Sequence, residues 1–224
     1  MFYFWYIFNE DSITKNFDIN WKKCFYSCKK LSEIEKPNSE KVISNNAFGN
    51  CRLNEIKISS SISKIGKECF NNCTSLKTVK LSENINKLCD SCFQSCCLLE
   101  SIIIPDKVVS IGCWCFSYCT SLKRIEIKGK IKELGWSCFE RYFSLKEIKI
   151  DEVFKTLPRS CFENCKTLTK INIPTTIEEI DNYCFEGCKS LKTFTIPSSV
   201  TFIGTDCFVN CPQLKLKYSA WNIN

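Results

Sequence analysis

No histidine occurs anywhere in the 224 residues. That absence removes the commonest general base, so Ser-His and Cys-His nucleophiles and histidine-held metals are excluded together. Glycine (7) and proline (6) are scarce, which leaves no flexible linker and no low-complexity stretch. No apolar run approaches the roughly 20 residues that cross a bilayer as a helix. The opening run Met1-Phe2-Tyr3-Phe4-Trp5-Tyr6-Ile7-Phe8 is apolar. It has no basic leader or small-residue cleavage site and runs into Asn9-Glu10-Asp11, so it reads as an aromatic cap on a core. Glycine-rich phosphate loops are missing too. The adjacent carboxylates Glu178-Glu179 fall on variable positions of the pattern described next and read as solvated, so no catalytic residue and no cofactor is expected.

What the chain does have is a repeat. A small residue followed by phenylalanine recurs at Cys24-Phe25, Ala47-Phe48, Cys69-Phe70, Cys92-Phe93, Cys115-Phe116, Cys138-Phe139, Cys161-Phe162, Cys184-Phe185 and Cys207-Phe208. Every interval is 23 residues except the 22 from Ala47 to Cys69. Leucine keeps step at Leu31, Leu53, Leu76, Leu99, Leu122, Leu145, Leu168, Leu191 and Leu214. Three residues on come Ile34, Ile56, Val79, Ile102, Ile125, Ile148, Ile171 and Phe194, and two further come residues such as Ile58, Ile104 and Ile196, with Lys36 the exception. A second apolar pair follows, as in Ile62 with Ile65 and Val200 with Ile203.

Each coil has a physical reading. The alternation in Leu168-Thr-Lys-Ile171-Asn-Ile173 is that of a half-buried strand, and Pro105, Pro174 and Pro197 end three such strands. The Ile-x-x-Ile segment is a second extended arm. Gly66, Gly112, Gly135 and Gly204 mark its bend, where a positive φ is expected. Cys-Phe-x-x-Cys puts its cysteines on one face of a short helical or 3-10 turn. One coil alone cannot bury its Leu, Ile and Phe, whereas stacked coils make a ladder of each. The result is an α/β-type repeat solenoid of about nine coils. Residues 1–23 read as a degenerate capping coil, with Ile13 at the second strand position. Residues 24–214 form the solenoid, and 215–224 a terminal strand and cap in which Trp221 covers the edge.

The pattern resembles the leucine-rich repeats of the BspA-like family, with cysteine taking the small-residue position in every complete coil but that of Ala47. The resemblance implies a right-handed coil stack with short strands on one face, used for attachment to proteins or surfaces. It carries over no catalytic residue.

Sixteen of the 19 cysteines fall on two repeat columns, before Phe and three after it; Cys89, Cys97 and Cys113 are off register. A thiol is compact and apolar enough for a crowded internal turn, so a packed thiol ladder is the first reading. Disulfides between coils, or zinc held by pairs such as Cys161 with Cys165, remain as alternatives. They would make the chain a thiol-rich metal-binding or redox-responsive protein. The off-register cysteines are the candidates for exposed thiols.

A partner would meet the outward strand positions, the second and fourth residues after each Leu. The selected set is Lys57, Lys80, Ile103, Arg124, Glu126, Glu147, Lys149, Lys170 and Asn172, with Ile103 as an apolar anchor flanked by Lys80, Arg124 and Lys149. In the last coil the outward pair reads as Leu216 and Tyr218. The formal charge of +7 gives a mild preference for an acidic protein. A stripe of Lys77, Lys123, Lys146, Lys192 and Lys215 supports a weaker alternative, an anionic ligand such as nucleic acid or a membrane surface. Stacking aromatics and known motifs are lacking, so nucleic acid is disfavoured. The expected function is a non-catalytic protein-binding module or scaffold. Its expected location is the cytoplasm, with the cell surface by a non-classical route as the alternative.

Overall fold

A computed structural model describes residues 12–13, 33–34, 41–142, 144, 146–149 and 154–219. The aromatic opening run, most of the proposed N-terminal cap, Cys24, Cys28, Lys36, Leu145 and Trp221 lie outside those residues. Two-to-four-residue strands run the whole length, because each coil leaves only that much chain before it must bend. In chain order they are β1 (Ser12–Ile13), β2 (Glu33–Ile34), β3 (Val42–Ile43), β4 (Glu55–Lys57), β5 (Lys64–Ile65) and β6 (Thr78–Lys80). Next come β7 (Lys87–Leu88), β8 (Ser101–Ile104), β9 (Ser110–Ile111), β10 (Arg124–Ile127), β11 (Glu133–Leu134) and β12 (Glu147–Lys149). The series ends with β13 (Thr156–Leu157), β14 (Lys170–Asn172), β15 (Glu179–Ile180), β16 (Thr193–Ile196), β17 (Phe202–Ile203) and β18 (Lys215–Tyr218).

All pairings are parallel and join each strand to its equivalent in the next coil. The face strands form sheets β4-β6-β8-β10 and β12-β14-β16-β18, and the arm strands form β3-β5-β7-β9-β11 and β13-β15-β17. The described residues thus form a parallel-strand solenoid of about seven turns. Two registers differ from the sequence reading. Ile13 pairs with Ile34 and so takes the first strand position, not the second. In the last coil Leu216 and Tyr218 pair with the buried Phe194 and Ile196, while Lys215 and Lys217 take the outward places. All four residues of β18 are nevertheless exposed, Leu216 at 42% and Tyr218 at 67%.

Between the sheets runs an unbroken column of rings from Phe48 through Phe70, Phe93, Phe116, Phe139, Phe162 and Phe185 to Phe208. Centroids are 5.3–5.9 Å apart and the rings lie within 11° of parallel. The Leu and Ile ladders pack around it, almost all fully buried. A coil contributes about one Phe, one Leu and four aliphatic residues to this core. At about 1.5–3 kcal/mol for each buried side chain, stacking is the main stabilising term.

The Cys-Phe stretch is not a helical turn, and no helix occurs among the described residues. Its flanking residues have left-handed φ in every described coil, as in Glu68 (56°) with Asn72 (57°) and Trp114 (52°) with Tyr118 (61°). That geometry breaks the helical path and turns alternate N–H groups towards the next coil, where Phe70 N–H bonds the Cys92 carbonyl at 2.8 Å and Asn72 N–H that of Gln94. The bend glycines, by contrast, do not have positive φ. They are small because of a close approach. A Cβ on Gly66 would stand 2.5 Å from both the backbone nitrogen and Oδ1 of Asn45, and one on Gly112 equally close to Asp90. Asn45 Oδ1 accepts the Lys67 N–H and Asp90 Oδ1 that of Cys113, so the missing Cβ admits a side chain that caps the next coil.

From β3 onward, one junction interrupts the sheets. Face strand β10 does not pair with β12, nor arm strand β11 with β13. Tyr142 stands here in the second cysteine column, fully buried, with no hydrogen-bond partner for its hydroxyl among the described residues. Pro158 stands where Gly112 and Gly135 donate their N–H groups to the preceding coil, and proline has none to give. A bulky ring in the core and a missing donor in the arm act on the same coil boundary. The turn edge stays bonded across it, through Phe139 N–H to Cys161 O at 3.0 Å and Arg141 N–H to Glu163 O.

Candidate protein-binding face

Strand pairing sets the outward residues of the face sheet in two columns. Glu55, Thr78, Ser101 and Arg124 form the first; Lys57, Lys80, Ile103 and Glu126 form the second. Pleating turns their neighbours inward, so Ile56, Val79 and Ile102 are buried while Lys57 and Lys80 are exposed. Ile103 is 48% exposed, a large aliphatic side chain held outward by the register of β8. Glu126 lies directly beside it, and Arg124 Nη2 donates to Glu126 Oε2 at 2.9 Å.

The remaining candidates sit on the second face sheet, where Glu147 pairs with Lys170 and Lys149 with Asn172. Lys170 and Asn172 are exposed. The side chains of Glu147 and Lys149 lie outside the described residues. Because β10 and β12 do not pair, Lys149 does not extend the row that holds Ile103; Lys80 and Glu126 flank it instead. The structure therefore gathers five of the nine candidates on one continuous sheet and four on the next. The lysines of the stripe, Lys77, Lys123, Lys146, Lys192 and Lys215, are all exposed.

Among the described residues both thiol columns are buried, except for the half-buried Cys211. In the second, each thiol donates back to the Phe carbonyl of the preceding coil: Cys73 to Phe48, Cys96 to Phe70 and Cys119 to Phe93, at 3.0–3.2 Å. Cys165, Cys188 and Cys211 do the same to Phe139, Phe162 and Phe185. Burial pushes the Cys73, Cys165 and Cys207 thiols up to about 12. The off-register Cys89 is buried and its thiol is raised by burial, against the pull of Lys87, Lys64 and Lys67; Cys97 and Cys113 are half-buried. No group of three ligating side chains placed to hold a metal occurs among the described residues, so nothing supports the metal reading.

Sequence reasoning looked for contacts only on the strands and missed the turn edge. Trp136 is 42% exposed there and lies edge-on to Trp114, and Arg141 covers the Tyr118 ring at 5.1 Å from its centroid. Arg159 covers Tyr183 in the same way. The signal was present in the columns around Cys-Phe, where Trp and Tyr replace the usual Ser and Asn. No helix of the described residues is long and apolar enough to cross a membrane.

Known proteins agree with this architecture. Among solved structures, a leucine-rich repeat protein of T. pallidum is 24% identical, with 82% of this chain and 78% of that one covered and a TM-score of 0.62. The pneumococcal vaccine antigen PcpA is 22% identical over 91% of this chain and 60% of its own, with a TM-score of 0.58. A leucine-rich repeat protein of Bacteroides ovatus is 22% identical over 90% and 74%, with a TM-score of 0.53. These likenesses concern the fold. No match is found among the curated proteins. The pattern of the BspA type leucine rich repeat region, in six copies, matches residues 2–100 and 88–215, and the chain belongs to that family.

Proposed function

We propose that the chain is a non-catalytic module that binds another protein through its strand face. The observation that carries this reading is Ile103, nearly half exposed at the middle of a rigid sheet and framed by charged residues. An apolar anchor in a polar rim is the arrangement that concentrates binding energy in an interface. Lys57, Lys80, Arg124 and Glu126 form the near rim, and Glu147, Lys149, Lys170 and Asn172 extend it on the second sheet. The net positive charge and the Lys57–Lys80 pair favour an acidic contact surface. The reading takes the array as nine coils, with residues 1–23 and 215–224 as its caps. The thiol ladder, in which each proton-bearing sulfur packs and donates inside the turn, suits a reducing compartment such as the cytoplasm.

Ile103→Asp tests the face, with Lys189→Glu in the turn after Cys188 as the control. Both variants are expected to fold as the parent does, since both positions are outward. Proteins captured by the parent and the control, and lost with Ile103→Asp, would support the reading. An unchanged captured set with Ile103→Asp would overturn it.

A further inference from the structure

The arm sheets carry a charge pattern that the strand face does not have. The column of their first strand residues begins with Val42, continues through Lys64 and Lys87, then through Glu133 and Glu179, and ends at Phe202; the exposed Thr156 and the buried Ser110 fill the two remaining rungs. Val42 and Phe202 are 42% and 51% exposed. Both lysines and both glutamates are exposed and enter no ion pair among the described residues. Of the other charges nearby, Lys67 is matched with Asp90 and Lys155 with Glu178, while Lys41 and Lys132 are exposed and enter no ion pair among the described residues. The column itself is basic on its first half, acidic on its second and apolar at both ends.

Reversing such a column and laying it on itself matches its apolar ends and its outer charges, and brings its inner charges within one rung of each other. We infer that the arm sheet is a self-association surface whose occupant is a second copy of this chain, related by a two-fold axis along the strand direction. In that arrangement the first rung of one copy faces the last rung of the other. Val42 meets the partner's Phe202, and Lys64 meets the partner's Glu179. Lys87 and the partner's Glu133 stand one rung apart diagonally, about 4.8 Å along the axis and within reach of their long side chains. Each contact occurs twice, as an isologous interface requires. Beside the axis, the exposed Val109 faces the partner's Lys132, whose aliphatic stem can lie on it.

The same arrangement spans the break between β11 and β13. Glu133 and Thr156, on either side of that gap, both face rungs of the partner's continuous five-stranded sheet. Eight rungs at about 4.8 Å make a strip roughly 35 Å long and narrow. Such an interface is weak, and its charge pairs are screened by salt. This surface is separate from the strand face, and the inference does not depend on the proposed protein-binding role.

The test is sedimentation velocity on the full chain, with far-UV circular dichroism to show that each variant is folded. The parent is expected to dimerise at low salt and to dissociate at about 1 M salt. Lys64→Glu with Lys87→Glu makes the column acidic throughout, and Glu133→Lys with Glu179→Lys makes it basic throughout. Each double variant alone is expected to self-associate at least about tenfold more weakly than the parent. Mixed in equal amounts they are expected to form a heterodimer, because each half of one then opposes its complement on the other. A parent that stays monomeric at low salt and about 100 μM, a concentration suited to weak interfaces, overturns the inference. So do folded variants that dimerise as the parent does, or a mixture that remains monomeric. Ile103→Asp is expected to leave the dimer intact.

Discussion

At the scale of single residues, the second cysteine column has a role visible in its hydrogen bonds. A thiol in the second column fills the turn as a small apolar group would and also donates to a Phe carbonyl one coil back. Its proton is held there by burial, so the reactive thiolate is scarce at neutral pH. In the native protein, a thiol-specific reagent at pH 8 is therefore expected to label Cys97 and Cys113 first and Cys211 more slowly. The buried columns should stay silent until denaturant is added, and rapid native labelling of Cys96 or Cys119, read by peptide mass, would contradict the ladder. A carboxylate column on the turn edge behaves differently. Burial, with Glu163 beside it, raises the Glu140 carboxyl, and burial followed by Glu163 and Asp206 raises that of Glu186. A raised folded-state value means stability that is fully present below the unfolded value of about 4.3 and is lost as pH rises through the folded one. Asp90 opposes this, because Lys67 lowers its carboxyl and its contribution is lost as pH falls. Glu140→Gln should raise the urea midpoint at pH 7 and leave it unchanged near pH 4.

At the scale of the coil, the spacing of Leu, Ile and Phe is a direct consequence of stacking, and it was legible because every coil must present the same residues to its neighbours. Ile103 and Lys80 were legible as outward positions for the same reason, since pleating alternates by one residue. The glycines were legible as necessary and misread as to why: Gly66 is small to admit Asn45, which depends on a residue 21 positions earlier in another coil. Left-handed φ at Trp114, Tyr118 and Arg141 carries no sequence signal, since inter-coil bonds impose it on residues that do not favour it. The junction between β10 and β12 was also hidden, although Tyr142 and Pro158 each depart from their columns. Tyr142 buries a hydroxyl with no described partner, at a cost of about 1–3 kcal/mol. Tyr142→Phe keeps the ring against Phe139 and should raise stability by about 1 kcal/mol in urea unfolding. A loss of stability would instead mean that the hydroxyl is satisfied in solution.

At the scale of the whole molecule, the solenoid is a chain of nearest-neighbour interfaces, and its cooperativity is set by the weakest of them. Most boundaries are held by two sheets, the bonded turn edge and the ring column together. At the boundary between β10 and β12 neither sheet is paired, and the contacts across it among the described residues include the turn bonds, the Cys165 thiol on the Phe139 carbonyl and the stack of Phe139 on Phe162, 5.6 Å apart. Removing one ring should therefore have different consequences in different coils. Phe93→Ala, in the middle of continuous sheets, is expected to cost about 3–5 kcal/mol and to leave a single unfolding transition. Phe139→Ala removes a ring of similar burial and also an apolar link across this boundary. It is expected to separate the two sub-stacks, so that in a Trp221→Phe background tryptophan fluorescence, whose Trp5, Trp21, Trp114 and Trp136 all precede the boundary in sequence, no longer coincides with far-UV circular dichroism, which reports both halves. Coincident transitions in Phe139→Ala would show that the turn edge alone couples the halves. The missing strand pairs would then be immaterial to how the array folds.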